Sequence, residues 1–173
     1  ATKEHFIAGK KQYYNKGRSL GHLFKKRVII EPQITENFIK LLKPDFTVFD
    51  IGANIGYYTI LFSECVKNGK VIAVEPDSYS IPIVEKNIQI NNLQNVTLVK
   101  KAVSDKEGES SFILDLSTGQ TSSLLNDVFH PNGAILKETK LLTTTLDSLS
   151  EKYGNPDFIK CDVEGFELSV FKG

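Results

Sequence analysis

"VFDIGANIGYYT", Val48 to Thr59, is the stretch that decides how this chain folds. An apolar strand ends in an acid, Asp50. Gly52, Ala53, Asn54 and Gly56 then crowd into one turn. Beyond it, Ile55, Tyr58, Leu61, Phe62, Cys65 and Val66 recur at helical spacing and give one apolar helix face. Gly52 and Gly56 permit positive φ or a close backbone approach that a Cβ would block. The helix start beyond them offers N–H groups and a positive dipole end, which suits an anion.

Working outward, "VIAVEP" (Val71 to Pro76) reads as a second buried strand. Ile81, Val84 and Ile88 mark the next helix, with Pro82 tolerable in its first turn. "NNLQN" (Asn91 to Asn95) is a loop, and "VTLVKKAVS" (Val96 to Ser104) reads as one third strand. Upstream, "RVIIEP" (Arg27 to Pro32) looks like a short strand. Ile34, Phe38, Ile39, Leu41 and Leu42 then form a helix that Pro44 stops. Strand, helix, strand, helix and strand in succession argue a parallel sheet with right-handed crossovers. Near-continuous apolar strands agree, because such strands are covered on both faces. The rhythm breaks at 105–145, where "SSFILDL" and "AILKETKLLTTTL" flank a polar segment; an inserted hairpin is expected there. "LDSLSEKY" reads as a short helix, "PDFIKCDVEG" as holding a fourth parallel strand, and "GFELSVFKG" as opening another helix.

The 173 residues suggest one domain, large enough to bury a core. The expected division is a basic N-terminal segment over 1–30 and an α/β domain over 31–173. Net charge is zero, so no global field draws the chain to nucleic acid or an anionic membrane. Residues 1–30 nevertheless hold eight Lys/Arg against one acid, Glu4. That excess fits a solvated segment facing an acidic surface, or a basic arm for an anionic substrate. Cys65 and Cys161 lie far apart in apolar runs and read as buried thiols, with neither disulfide nor metal spacing. No secretory h-region and no membrane-length apolar run is visible, so a cytoplasmic protein is expected. The absence of methionine, a start at Ala1 and an abrupt end at Gly173 suggest a piece of a longer chain.

The chemistry begins with the acids. The turn is G-x-N-x-G rather than G-x-G-x-x-G, and Asp50 precedes its first glycine by two residues. A carboxylate there repels a pyrophosphate and attracts a cation. Together with a helix N-terminus it fits an amino acid zwitterion. Glu75, at the end of the second strand, can accept hydrogen bonds from both hydroxyls of a ribose. A ligand with adenosine at one end and an amino acid at the other is S-adenosylmethionine. A nicotinamide-dependent oxidoreductase and a non-catalytic donor-binding domain stand as alternatives.

"EPQITENFIKLLKPDFTVFDIGANIGYYT", "VIAVEPDS", "TTTLDSL" and "FIKCDVEGFELSVFKG" together resemble the FkbM family of S-adenosylmethionine-dependent methyltransferases, over roughly residues 28–173. The resemblance implies a Rossmann-like class I methyltransferase fold, a three-layer α/β sandwich with a mostly parallel sheet, here lacking its C-terminal strands. It also implies methyl transfer to a hydroxyl oxygen of a small-molecule or sugar-containing acceptor. No metal-binding cluster of carboxylates is recognisable in the sequence, so no metal is expected. Carried over residue by residue, Asp50, Gly52, Ala53, Asn54 and Gly56 surround the methionine half of the donor, and Glu75, followed by Pro76, takes the ribose. Where many class I enzymes place an acid for adenine, this chain reads "KKAVSD", so adenine falls to the backbone near Ala102 and to Ser104 or Asp105. "DVEGFE" closes the series. Asp162 is expected to face the sulfonium or the acceptor and Glu164 to help position the acceptor, and both are candidates for the general base that an alcohol nucleophile needs. His5, His22 and His130 have no motif around them and read as surface or loop residues. The expected partners are a small-molecule or carbohydrate acceptor, without nucleic acid or a membrane span, and an oligomer is possible.

Overall fold

The computed structural model describes residues 3–7, 10–14, 31–115, 121–123, 136–163 and 165–173. Its centre is a four-stranded parallel sheet in the order β10-β3-β4-β5, formed by Phe158–Cys161, Thr47–Ile51, Lys70–Val74 and Val96–Val99. Strands β3, β4 and β5 follow in sequence, and β10 returns to the free side of β3; the pairing is parallel because a helix carries each crossover back over the sheet. Helix α2 (Tyr57–Cys65) joins β3 to β4, and α3 (Ile81–Asn91) joins β4 to β5.

Side chains alternate across the strands and so divide the core in two. Val48 and Val71 pack with Ile60, Leu61 and Phe62 of α2 and Ile83 of α3. Phe38, from α1 (Pro32–Leu41), joins this face through edge contacts with the rings of Tyr58, Phe62 and Phe158. Phe49, Ile51, Ile72 and Val74 point the other way. They meet Leu149 of α4 (Leu146–Tyr153) and Val170 of α5 (Glu167–Val170). The result is three layers, helix on sheet on helix. Full burial of a side chain such as Phe49 stabilises by about 1.5–3 kcal/mol.

Helix α1 starts at Pro32, where a missing N–H costs nothing, and ends where Leu42 turns extended ahead of Lys43 and Pro44. Pro82 likewise occupies the first turn of α3. The strand expected over Arg27 to Pro32 lies outside the described residues as far as position 30, and Pro32 itself belongs to α1. The basic segment contributes an antiparallel pair, β1 (Lys3–Ile7) with β2 (Lys10–Tyr14), whose second strand packs against α3.

The single strand expected over Val96 to Ser104 is corrected. The structure breaks it at Lys100 and Lys101, whose ammonium groups pair with Glu85 at 2.6 Å and Glu107 at 3.2 Å. Two adjacent lysines do not fit a doubly covered strand. The chain therefore leaves the parallel sheet after Val99, and Ala102–Val103 (β6) pairs parallel with Thr143–Thr144 in a second sheet. That sheet has the order β6-β9-β7-β8. Strand β7 (Gly108–Asp115) lies antiparallel to β9 (Leu136–Thr144), with β8 (Thr121–Ser123) on its far side. Val103 joins the Phe49 cluster, so the second sheet is anchored where it leaves the first. Among the described residues no helix is long and apolar enough to cross a membrane.

Candidate functional site

The turn after β3 is built by its glycines. Gly52 has φ +74°, and a Cβ on it would sit 2.0 Å from the backbone oxygen of Asp162, so only glycine lets the ends of β3 and β10 approach this closely. Gly56, at φ +83°, precedes α2, and no side chain caps the helix there. The positive dipole end of α2 therefore faces this turn without a side-chain cap, as suits an anion. Asn54 takes a left-handed φ of 49°, which asparagine tolerates better than most residues. The N–H groups of Gly52 and Ala53 both donate to Val74 O at 3.0 Å, which ties the turn to the end of β4.

Glu75 follows directly. It is buried, and its two carboxylate oxygens each accept one backbone N–H: Asn54 at 2.7 Å and Asp77 at 2.8 Å. Burial pushes its carboxyl up to about 7; the two N–H bonds act against this, and the nearby charges of Asp77 and Asp50 add to it. Each oxygen retains a lone pair for a further donor. Glu75 is therefore part of the turn as well as the end of a strand. Pro76 is half-buried beside it, and the buried Asp77 accepts from the backbone and hydroxyl of Ser80 to start α3.

Asp50 shares its side of β3 with Val48 and has no exposed surface. Oδ2 accepts the Thr59 hydroxyl at 2.6 Å, and Oδ1 makes no hydrogen bond but lies 3.6 Å from Lys160 Nζ. The carboxylate is thus sealed beneath the turn, between Thr59 and Lys160. Asp162, just past β10, is the opposite case: its side chain is 62% exposed and pairs with the same Nζ at 3.3 Å. Glu164 lies outside the described residues.

Ala102 and Ser104 are buried in and just after β6, and Asp105 is exposed beside them. The Ser104 N–H donates to Thr144 O at 2.9 Å and its hydroxyl to Asp105 at 3.1 Å, so both groups are engaged within the protein. These three residues belong to the second sheet, whereas the turn, Glu75 and Asp162 converge at the ends of β3, β4 and β10. Tyr57 and Tyr58, which open α2, are both buried in the core. The Tyr58 hydroxyl donates to Glu31 at 2.7 Å, and its ionisation is pushed well up by burial first and by that bond second.

Sequence reasoning missed Lys160, Thr59 and Asn87. Asn87 of α3 donates to Ile55 O at 2.8 Å and holds the far side of the turn. Lys160 had a readable signal: a lysine inside "FIKC", a strand expected to be covered on both faces, demands a buried acid nearby.

The model of the Methyltransferase FkbM domain matches residues 50–173. The chain belongs to this family. Among curated proteins, Methyltransferase 1 of Beauveria bassiana is 24% identical over 147 residues, covering 75% of this chain and 58% of its own length. The ribosomal protein L11 methyltransferase of Thermoanaerobacter pseudethanolicus is 31% identical over 75 residues, covering 43% of this chain and 24% of its own. The chain thus spans less than two thirds of the length of these relatives. Of the solved structures, Pyrococcus horikoshii TYW2 in complex with MeSAdo is similar over 58% of this chain and 36% of its own, with 22% identity and a TM-score of 0.46. As an FkbM methyltransferase domain, the chain places its matched segment from Asp50, the last buried acid before the turn, through Asp162 and α5.

Proposed function

We propose that this domain binds S-adenosylmethionine at the β3–α2 turn and transfers its methyl group to a hydroxyl oxygen of a small-molecule or sugar-containing acceptor. The observation that carries the reading is the bond from Asn54 N–H to the buried Glu75 carboxylate. It joins the glycine turn and the ribose-type acid directly, which supports a ligand with an amino acid at one end and a nucleoside at the other. The residues fit that donor. Glu75 keeps acceptor capacity for two hydroxyls, the uncapped start of α2 suits a carboxylate, and Asp50 supplies negative potential for a cationic centre.

When bound, the donor supplies an electrophilic methyl group, and the protein supplies alignment and exclusion of water. Gly52, Ala53, Asn54 and Gly56 present backbone to the amino acid end. Asp162 is the exposed carboxylate at the mouth of the turn, and it accepts the proton or hydrogen bond of an acceptor hydroxyl. Glu164 lies two residues further on and is proposed to help position the acceptor. Pro76 is proposed beside Glu75 at the ribose, and the backbone near Ala102 with Ser104 or Asp105 for adenine. Supporting the transferase over an oxidoreductase is the buried Asp50 ahead of the glycines, whose charge disfavours a pyrophosphate.

Titration calorimetry tests the reading: the folded chain is expected to bind S-adenosylmethionine and S-adenosylhomocysteine and not NAD. Binding of the nicotinamide cofactor alone would overturn it. A radiolabelled-methyl screen over hydroxylated acceptors, sugars included, then tests the oxygen specificity. Label found only on nitrogen or carbon would remove that part.

A further inference from the structure

A lysine inside a covered strand is costly unless its charge is matched. Lys160 is only 9% exposed, and its ammonium meets groups from three directions. It donates to the carbonyl of Gly52 at 3.0 Å, lies 3.3 Å from Asp162 Oδ2 and 3.6 Å from Asp50 Oδ1, and stands 5.4 Å from the centre of the Tyr58 ring. Strand register explains the convergence: Lys160 is paired with Asp50 across β10 and β3, and both side chains rise on the same face. One carboxylate of the set is sealed in the core and the other faces solvent.

A lysine that only offset a buried acid would need Asp50 alone. This one also grips the first glycine of the turn and the acid at its mouth. The two carboxylates carry two negative charges against one ammonium, so the cluster keeps a surplus of one beside the turn.

We propose that Lys160 is a positioning residue for the methyl donor. It fixes Asp162 relative to Gly52 and offsets one unit of the negative charge that the donor's cationic centre meets. The inference rests on the donor reading above. Its signature is electrostatic, because S-adenosylmethionine carries a sulfonium charge that S-adenosylhomocysteine lacks. Removing the lysine charge favours the cationic nucleoside over the neutral one. Removing the Asp162 charge does the reverse.

The test measures both dissociation constants by calorimetry for the wild-type chain, Lys160→Met and Asp162→Asn, with circular dichroism to confirm folding. In Lys160→Met, S-adenosylhomocysteine is expected to bind about tenfold more weakly, from loss of the charged contact to the turn. The preference for S-adenosylmethionine is expected to rise at least threefold, the effect of a unit charge acting over about 6 Å even at the dielectric of water. In Asp162→Asn, whose exposed site tolerates the change, that preference falls at least twofold. Wild-type affinities with an unchanged ratio in Lys160→Met would overturn the proposal. If that variant does not fold, an unchanged ratio in Asp162→Asn overturns it alone. Failure of the wild-type chain to bind either nucleoside instead removes the donor reading on which the inference rests.

Discussion

The two sheets of this molecule solve different problems. In the parallel sheet, β3 and β4 are covered on both faces and bury Val48, Phe49, Ile51, Val71, Ile72 and Val74 to 1% exposure or less. In the second sheet, β7 and β9 alternate. Phe112 and Thr143 turn inward, Leu142 and Lys140 turn outward, and the Lys140 ammonium pairs with Glu109 at 3.2 Å in the open. The first sheet is close-packed on both sides, and the glycine turn is bonded to the end of β4. The second leaves one face in solvent, where side chains can change at little cost to packing.

Four measurements sharpen or break this contrast. Phe49→Ala leaves a cavity between β3 and α4, and urea unfolding is expected to show a loss of about 3–5 kcal/mol. A loss below about 1 kcal/mol would mean that the parallel core is loose. Glu75 comes next. Its folded carboxyl titrates near 7 against an ordinary value of 4.5, so the folded chain holds the proton more tightly than the unfolded one. Wild-type stability should therefore fall relative to Glu75→Gln as pH rises from about 4.5 to 7, with the deficit, roughly 3 kcal/mol, complete above pH 7. Parallel pH curves for the two proteins would show that Glu75 ionises normally. Third, Gly52→Ala forces a Cβ onto the Asp162 carbonyl at a positive φ, and donor affinity is expected to drop more than tenfold, read by calorimetry. Last and smallest, Lys140→Ala breaks an exposed cross-strand pair, and stability should shift by less than about 0.5 kcal/mol. A larger shift would place the outer sheet in the cooperative core.

How much of this was legible follows from the same contrast. Apolar runs such as "FTVFDIG" and "VIAVEP" can be satisfied in few ways, and the structure places β3 and β4 on them. The break after Val99 was missed because "VTLVKKAVS" keeps strand-forming residues throughout. What divides it is the pair of lysines seeking Glu85 and Glu107, partners that come from α3 and from the approach to β7. In the site, the turn and Glu75 could be read locally, since glycine conformation and strand-end position are local properties. Lys160 could not be placed the same way. Its meaning depends on a strand register that joins residues 50 and 160, and no local pattern reports that pairing. Thr59 and Asn87 were invisible for a similar reason: their side chains turn inward to Asp50 and Ile55 only once α2 and α3 have docked.

The chain contains no tryptophan and six tyrosines, and two of those, Tyr57 and Tyr58, open the helix that leaves the glycine turn. Tyr58 is held between the Glu31 carboxylate and the Lys160 ammonium. Its ring thus sits in an electric field whose two poles come from the segment before α1 and from β10. With no tryptophan to mask it, the Tyr58 contribution to near-ultraviolet circular dichroism, isolated by difference against Tyr58→Phe, would report movement of that spot without a label.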